Sequence, residues 1–298
     1  MKDLNYNFVE DIDVFKTVLN YNDQEIFKLF NVPKASMYRY YKNNNVPSKD
    51  VLGRIYNCIF DKGVILSKIY EDIFKTKENK NNLILFHGSK EGIHGKLSTK
   101  YSNENRDFGR AFYVGESMNQ AISFISEYED SSVYVVEIKN INKLKVVELD
   151  VSKEWMIMIA YFRGRLDEYK ESSLLKKTLN KIKDADIIIS PIADNSMYST
   201  INEFIEGTIT DQQCLNSIAA NRLGKQYVIR NDKILNNNVF LIKKVYISTN
   251  ERNNFKIKRS EDKNIGKAKM ILAKRKYAGK GKYIEELLKN GWYLFINV

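Results

Sequence analysis

The chain has 298 residues, 43% hydrophobic and 29% charged, which suits one medium domain with one or two small ones and excludes wholesale disorder. Net charge is +11, and the two cysteines, Cys58 and Cys214, follow no metal-ligand spacing and are too few for a disulfide framework. The opening MKDLNYNFVEDIDVF lacks a signal-peptide pattern and no run approaches the roughly 18 apolar residues of a membrane span, so a soluble cytoplasmic protein with two buried thiols is expected.

The first ~75 residues carry apolar side chains at helical spacing, through Val14, Val18 and Leu19, then Ile26, Leu29 and Phe30, then Met37, Tyr40 and Tyr41, then Leu52, Ile55 and Ile59. Asn22-Asp23 caps a predicted helix Gln24–Phe30, Asn31-Val32-Pro33 makes a turn, and Lys34–Tyr41 opens a second helix. This segment resembles a helix-turn-helix of the phage-repressor type, with Lys34, Ser36 and Arg39 on the recognition helix. Residues 1–60 hold eight bases and seven acids, a weak charge for a DNA reader, so DNA binding and protein docking both stay open.

Beyond the polar stretch KTKENKNN the pattern changes to short β-branched or aromatic runs, and a boundary is drawn there. Strands are predicted at Leu83–His87, Ala111–Val114, Val133–Ile138, Lys145–Leu149, Ile187–Ser190, Tyr227–Arg230 and Val239–Ile247. Helices are predicted at Ser117–Tyr128, Trp155–Tyr169, Leu174–Lys183, Met197–Ile205 and Asp211–Arg222. The expected organisation is a helical domain at 1–80, an α+β domain at 81–250 and a basic tail at 251–298, the tail helical at Ala268–Tyr277 and Tyr283–Lys289. Residues 251–298 contain 13 Lys/Arg against five acids, with Tyr277, Tyr283 and Trp292 interleaved. Such a segment either attracts a polyanion by counterion release or is a solvated basic face.

Three segments of the central domain carry chemistry together: LFHGSK with His87, Gly88 and Ser89; DFGRAFYVGES with Gly109 and Tyr113; and KQYVIRND with Gln226 opening a strand. Their order resembles the three core motifs of the His-Tyr-Glu branch of ADP-ribosyltransferases, and the stretch 83–247 is similar to the bacterial DUF3990 proteins. The resemblance implies a split β-sheet core with flanking helices, NAD as co-substrate and no metal. It implies that His87 bonds the ribose hydroxyls, that Gly88 presents its backbone to the carboxamide with Ser89 behind it, and that Tyr113 stacks on the nicotinamide ring. Phe124 is either the opposite wall of that sandwich or core. Arg106 and Arg110 are candidates for the pyrophosphate or plain surface, and Ala111 stands where the family has a second glycine.

Gln226 occupies the position of the family's catalytic glutamate. A neutral amide makes the hydrogen bond to the ribose but supplies neither charge nor base. Three readings follow: a differently assisted transferase, an NAD-binding pseudoenzyme, or an enzyme using another acid, for which Asp194 and Glu206 are candidates. The expected activity is mono-ADP-ribosylation of a nucleic acid or protein, by a toxin or phage-defence effector with an antitoxin partner and no membrane association. The alternatives are an NAD-sensing DNA-binding regulator and a non-catalytic module.

Overall fold

The computed structural model describes residues 4–43, 47–284, 286 and 287. It is an α+β protein. In chain order come α1 (Phe8–Leu19), α2 (Asp23–Phe30), α3 (Lys34–Asn43), α4 (Lys49–Asp61), α5 (Leu66–Lys75), β1 (Asn82–Ser89), β2 (Phe112–Gly115), α6 (Met118–Ile125) and β3 (Ser132–Lys139). There follow β4 (Val146–Glu148), α7 (Lys153–Phe162), α8 (Ser173–Asn180), β5 (Ile187–Pro191), α9 (Asn195–Ile205), α10 (Asp211–Ala219), β6 (Lys225–Ile229), α11 (Asp232–Asn238), β7 (Val239–Val245) and α12 (Thr249–Lys276). Two compact units result, one of Met1–Lys96, Val114–Asn140 and Val239–Arg259, the other of Leu97–Tyr113, Ile141–Asn238 and Ser260–Val298. No helix among the described residues is long and apolar enough to cross a membrane.

In the first unit the helix signals act as the sequence suggests. Asn22 accepts from the backbone of Gln24 and Glu25 while the Glu25 side chain accepts from the Asn22 backbone, a complete capping box. Asn20 and Asn31 end α1 and α2 in the left-handed region, at φ 56° and 48°, which asparagine tolerates better than most residues. The helices do not close on a core of their own. Ile12, Phe15, Ile26, Ile55 and Tyr70 belong to the same buried cluster as Ile84 and Phe86 of β1, Ile122 of α6 and Val133 of β3. The change of composition near residue 80 is therefore not a break in packing.

Strand β3 pairs antiparallel with both β1 and β7, and being covered on both faces it reads as a nearly continuous apolar run. Between Val135 and Val136 the β3–β7 register steps, leaving Ile242 as an extra residue between Leu241 and Lys243. The buried Lys243 beyond this bulge meets Asp11 and Glu10 of α1, each at 3.0 Å. Asp11 also accepts from the hydroxyls of Tyr56 and Tyr70, and burial, with Asp11 adding to it, pushes both tyrosine pKa values up.

Glu251, in the first turn of α12, is buried and accepts from the Ser67 hydroxyl. Burial raises its pKa from an ordinary 4.5 to about 7, against the opposing pull of that hydrogen bond and of Arg252. Because the folded state holds the proton more tightly, this group's contribution is complete below the unfolded value and is lost as pH rises through the folded one. Wild-type stability is expected to lose up to about 3 kcal/mol from this group between those limits. Urea unfolding across that window checks it: Glu251→Gln should flatten the profile, and an unchanged profile would refute the assignment.

The second unit holds β4, β5 and β6, with β4 parallel to β5 and β5 antiparallel to β6, over a core of Trp155, Ile159, Ile188, Ile201, Phe204 and Val228. Thr210 and Gln213 form a capping box that starts α10. Helix α11 had no sequence expectation. The larger correction concerns the basic segment, where α12 runs for 28 residues, longer than the predicted Ala268–Tyr277. Met270 is buried, its carbonyl accepts from Ser217 at 3.0 Å, and Lys274 pairs with Glu203 at 2.7 Å, so this portion is packed structure. The helix expected at Tyr283–Lys289 extends outside the described residues, and Trp292 lies outside them. Cys214 is buried as expected, whereas Cys58 is only partly so.

Candidate functional site

A buried polar group of the second unit is built around Asp107, a residue inside DFGRAFYVGES that sequence reasoning passed over. Asp107 is 6% exposed and its carboxylate is held from three directions. Arg163, at the C-terminal end of α7, donates from Nε at 3.0 Å and from Nη2 to Oδ1. The Ala193 backbone N–H donates to Oδ2 at 3.3 Å, and Gln226 Nε2 donates to the same oxygen at 2.7 Å. Arg163 is itself fixed, since Nη2 also donates to Ala193 O at 2.8 Å and the guanidinium lies 4.3 Å from the Tyr198 ring centroid. A forked guanidinium satisfies a buried carboxylate in a way a lysine would not.

Gln226 sits on β6 opposite Ser190 of β5, which accepts from the Trp155 indole at 2.8 Å. Its second amide contact is Pro191 O at 3.2 Å. The strand register therefore decides which side chain of KQYVI faces Asp107. Tyr113 is pinned within its own loop: its hydroxyl donates to Gly109 O at 2.7 Å and accepts from Phe108 N at 3.1 Å. Burial pushes the Tyr113 pKa up and the Arg230 pKa down. Gly109 has φ +72°, a conformation that favours glycine, and this turn lets the chain pass from buried Asp107 and Phe108 to β2.

The remaining candidates fall as follows. Asp194 caps α9, accepting from Met197 N at 2.8 Å, and exposed Glu206 pairs with Arg165, so neither of these acids touches Gln226. Arg106 is half-buried, and exposed Arg110 pairs with Glu104. In the first unit His87 lies on β1 opposite Tyr134, half-buried. Gly88 has a packing reason of its own, since a Cβ there would stand 2.5 Å from Ala121 O on α6. Ser89 donates to Gly92 O at 2.7 Å, shaping the turn that follows. Phe124 is 44% exposed on α6, so the core reading of this ring is overturned, and Lys90 lies 5.9 Å from its centroid. On α3, Lys34 and Arg39 are exposed and Arg39 donates to the partly buried Ser36 at 3.1 Å.

A cleft of about 550 Å³ opens in the first unit, lined by Asn5, Asn7, Glu10, Glu137, Lys243 and Lys244 among others. Its mixed charges select no ligand class. Among the described residues no group of three or more His, Cys, Asp or Glu side chains is arranged to hold a metal ion.

Fold and site together define an α+β protein whose second unit carries buried Asp107 and Gln226 held by the partly buried Arg163. The family model described as "Protein of unknown function (DUF3990)" matches residues 83–240, more than half of the chain, and the chain belongs to that family. No curated protein and no solved structure matches it.

Proposed function

We propose that the protein is an NAD-dependent mono-ADP-ribosyltransferase with an ADP-ribosyltransferase-like core and a helix-turn-helix-like N-terminal segment. One observation carries most weight: Asp107 of the second motif and Gln226 of the third, 119 residues apart, meet in a buried hydrogen bond. Buried polar contacts between distant chain segments are costly unless satisfied, and this one joins two of the three segments that carry the resemblance. In the proposed reaction the bond between ribose C1′ and the nicotinamide nitrogen breaks, an acceptor nucleophile bonds to C1′, and the acceptor's proton leaves to solvent or a base. Nicotinamide departs with the bonding electron pair. Within the second unit, Tyr113 serves the nicotinamide ring and Gln226 the ribose hydroxyl.

The acceptor is a nucleic acid or a protein, and a cytoplasmic toxin or phage-defence role with a neutralising partner suits such an enzyme. Lys34 and Arg39, exposed on α3, favour as a second reading an NAD-sensing regulator that binds DNA. Incubating the purified chain with labelled NAD and, separately, cell protein, DNA and RNA separates these. Label is expected in one fraction, with a loss of about 100-fold or more in both Tyr113→Ala and Gln226→Ala. Absence of label and of free nicotinamide, with a DNA footprint, would replace the transferase by the regulator.

A further inference from the structure

The amide of Gln226 has only one workable orientation. Its two neighbours, Asp107 Oδ2 at 2.7 Å and Pro191 O at 3.2 Å, are both acceptors, so the nitrogen must face them. A flipped amide would set its oxygen against two oxygens with no hydrogen between. Both amide hydrogens are thus engaged inward, and the part of the side chain left to a ligand is the carbonyl oxygen, an acceptor. Arg163 and the Ala193 N–H hold Asp107 so that it cannot swing away to release the amide.

We propose that Asp107 is the positioning residue of this site: it locks Gln226 as an obligate acceptor, which recognises a hydroxyl donor on the substrate, and it makes glutamine rather than glutamate the residue that fits. The inference rests on the transferase reading for the identity of that hydroxyl, on the ribose of NAD, but the Asp107–Gln226 pairing stands apart from it. Here the glutamine is half of a matched pair, because a glutamate in its place would bring a second carboxylate to hydrogen-bond distance of Asp107. Two carboxylates so close do not both ionise without cost.

The test uses the full chain with Gln226→Glu, Asp107→Asn and the double exchange, read by thermal unfolding and by nicotinamide release from NAD. Gln226→Glu is expected to match wild type at about pH 5, where one proton bridges the carboxylates, and to melt at least about 5 °C lower at about pH 8. The double exchange restores one amide and one carboxylate and should recover at least half of that pH-dependent loss. A Gln226→Glu protein that follows wild type at both pH values, or a double exchange with no recovery, overturns the pairing. Asp107→Asn offers a weaker set of acceptors and frees the amide, so kcat should fall about tenfold while KM for NAD moves less. An unchanged kcat in that variant overturns the positioning role. Wild type that releases no nicotinamide while the melting pattern holds refutes the transferase reading and leaves the pairing in place.

Discussion

Lys243→Met is expected to lower the unfolding free energy by about 3–5 kcal/mol, the usual cost of leaving one member of a buried ion pair alone. Lys243 is 5% exposed and Asp11 1% exposed, and the lysine nitrogen is 3.0 Å from the Asp11 carboxylate and 4.0 Å from the Tyr70 ring centroid. Methionine replaces the aliphatic stem and removes only the charge, so the loss reports on Asp11 rather than on a cavity. The hydroxyls of Tyr56 and Tyr70 still donate to Asp11, but two neutral donors do not cancel a buried anion. Adding Asp11→Asn removes that anion, keeps an acceptor for a tyrosine hydroxyl, and should recover more than half of the loss. Urea unfolding of the single and double variants measures both, and a single-variant loss below about 1 kcal/mol would show the pair to be solvated.

Arg163→Met should cost a similar amount, about 3–5 kcal/mol, for the same reason at Asp107. With the guanidinium gone the carboxylate keeps only the Ala193 N–H and the Gln226 amide as donors. The loss should again shrink when Asp107→Asn is added. Arg165→Ala supplies the contrast, because its pair with Glu206 has side chains 40% and 54% exposed, and a change under about 1 kcal/mol is expected there. Equal losses at Arg163 and Arg165 in equilibrium unfolding would mean that burial is not what gives the first pair its weight. Any activity of the protein toward NAD should fall with Arg163→Met at temperatures where it remains folded, since Gln226 depends on Asp107 and Asp107 on Arg163.

The local elements were readable because their signals are local. Asn22-Asp23 and the Asn-Val-Pro turn before Lys34 each act within one helical turn, and α2 and α3 start beside them. The β-branched runs around Leu83, Val133 and Ile187 became strands for the same reason. The basic segment was harder. Few apolar residues mark α12, and its length is sustained by particular contacts such as Met270 with Ser217 and Glu251 with Ser67, which no periodicity announces.

The site divides along the same line. Gln226 stood out because it departs from a motif, and Tyr113 because it completes one. Asp107 lies in the same motif as Tyr113, yet between two arginines in a polar loop it resembles a surface acid. Its burial depends on Arg163, 56 residues away, and on Gln226, 119 residues away. Of the two acids named as alternatives, Asp194 became a helix cap and Glu206 a surface ion pair.

By itself the amino-acid sequence determined most of the elements other than α11 and the length of α12, the cap of α2, the order of the three motifs and the excess of positive charge, since each depends on neighbours a few residues apart or on simple sums. Only the tertiary structure decided that the N-terminal helices share a core with β1 and β3, that Lys243 neutralises Asp11, and that Gln226 is held by Asp107. Those outcomes depend on which distant side chains lose water together, and the cost of burying a charge or an amide is met only by the partner that the fold brings to it.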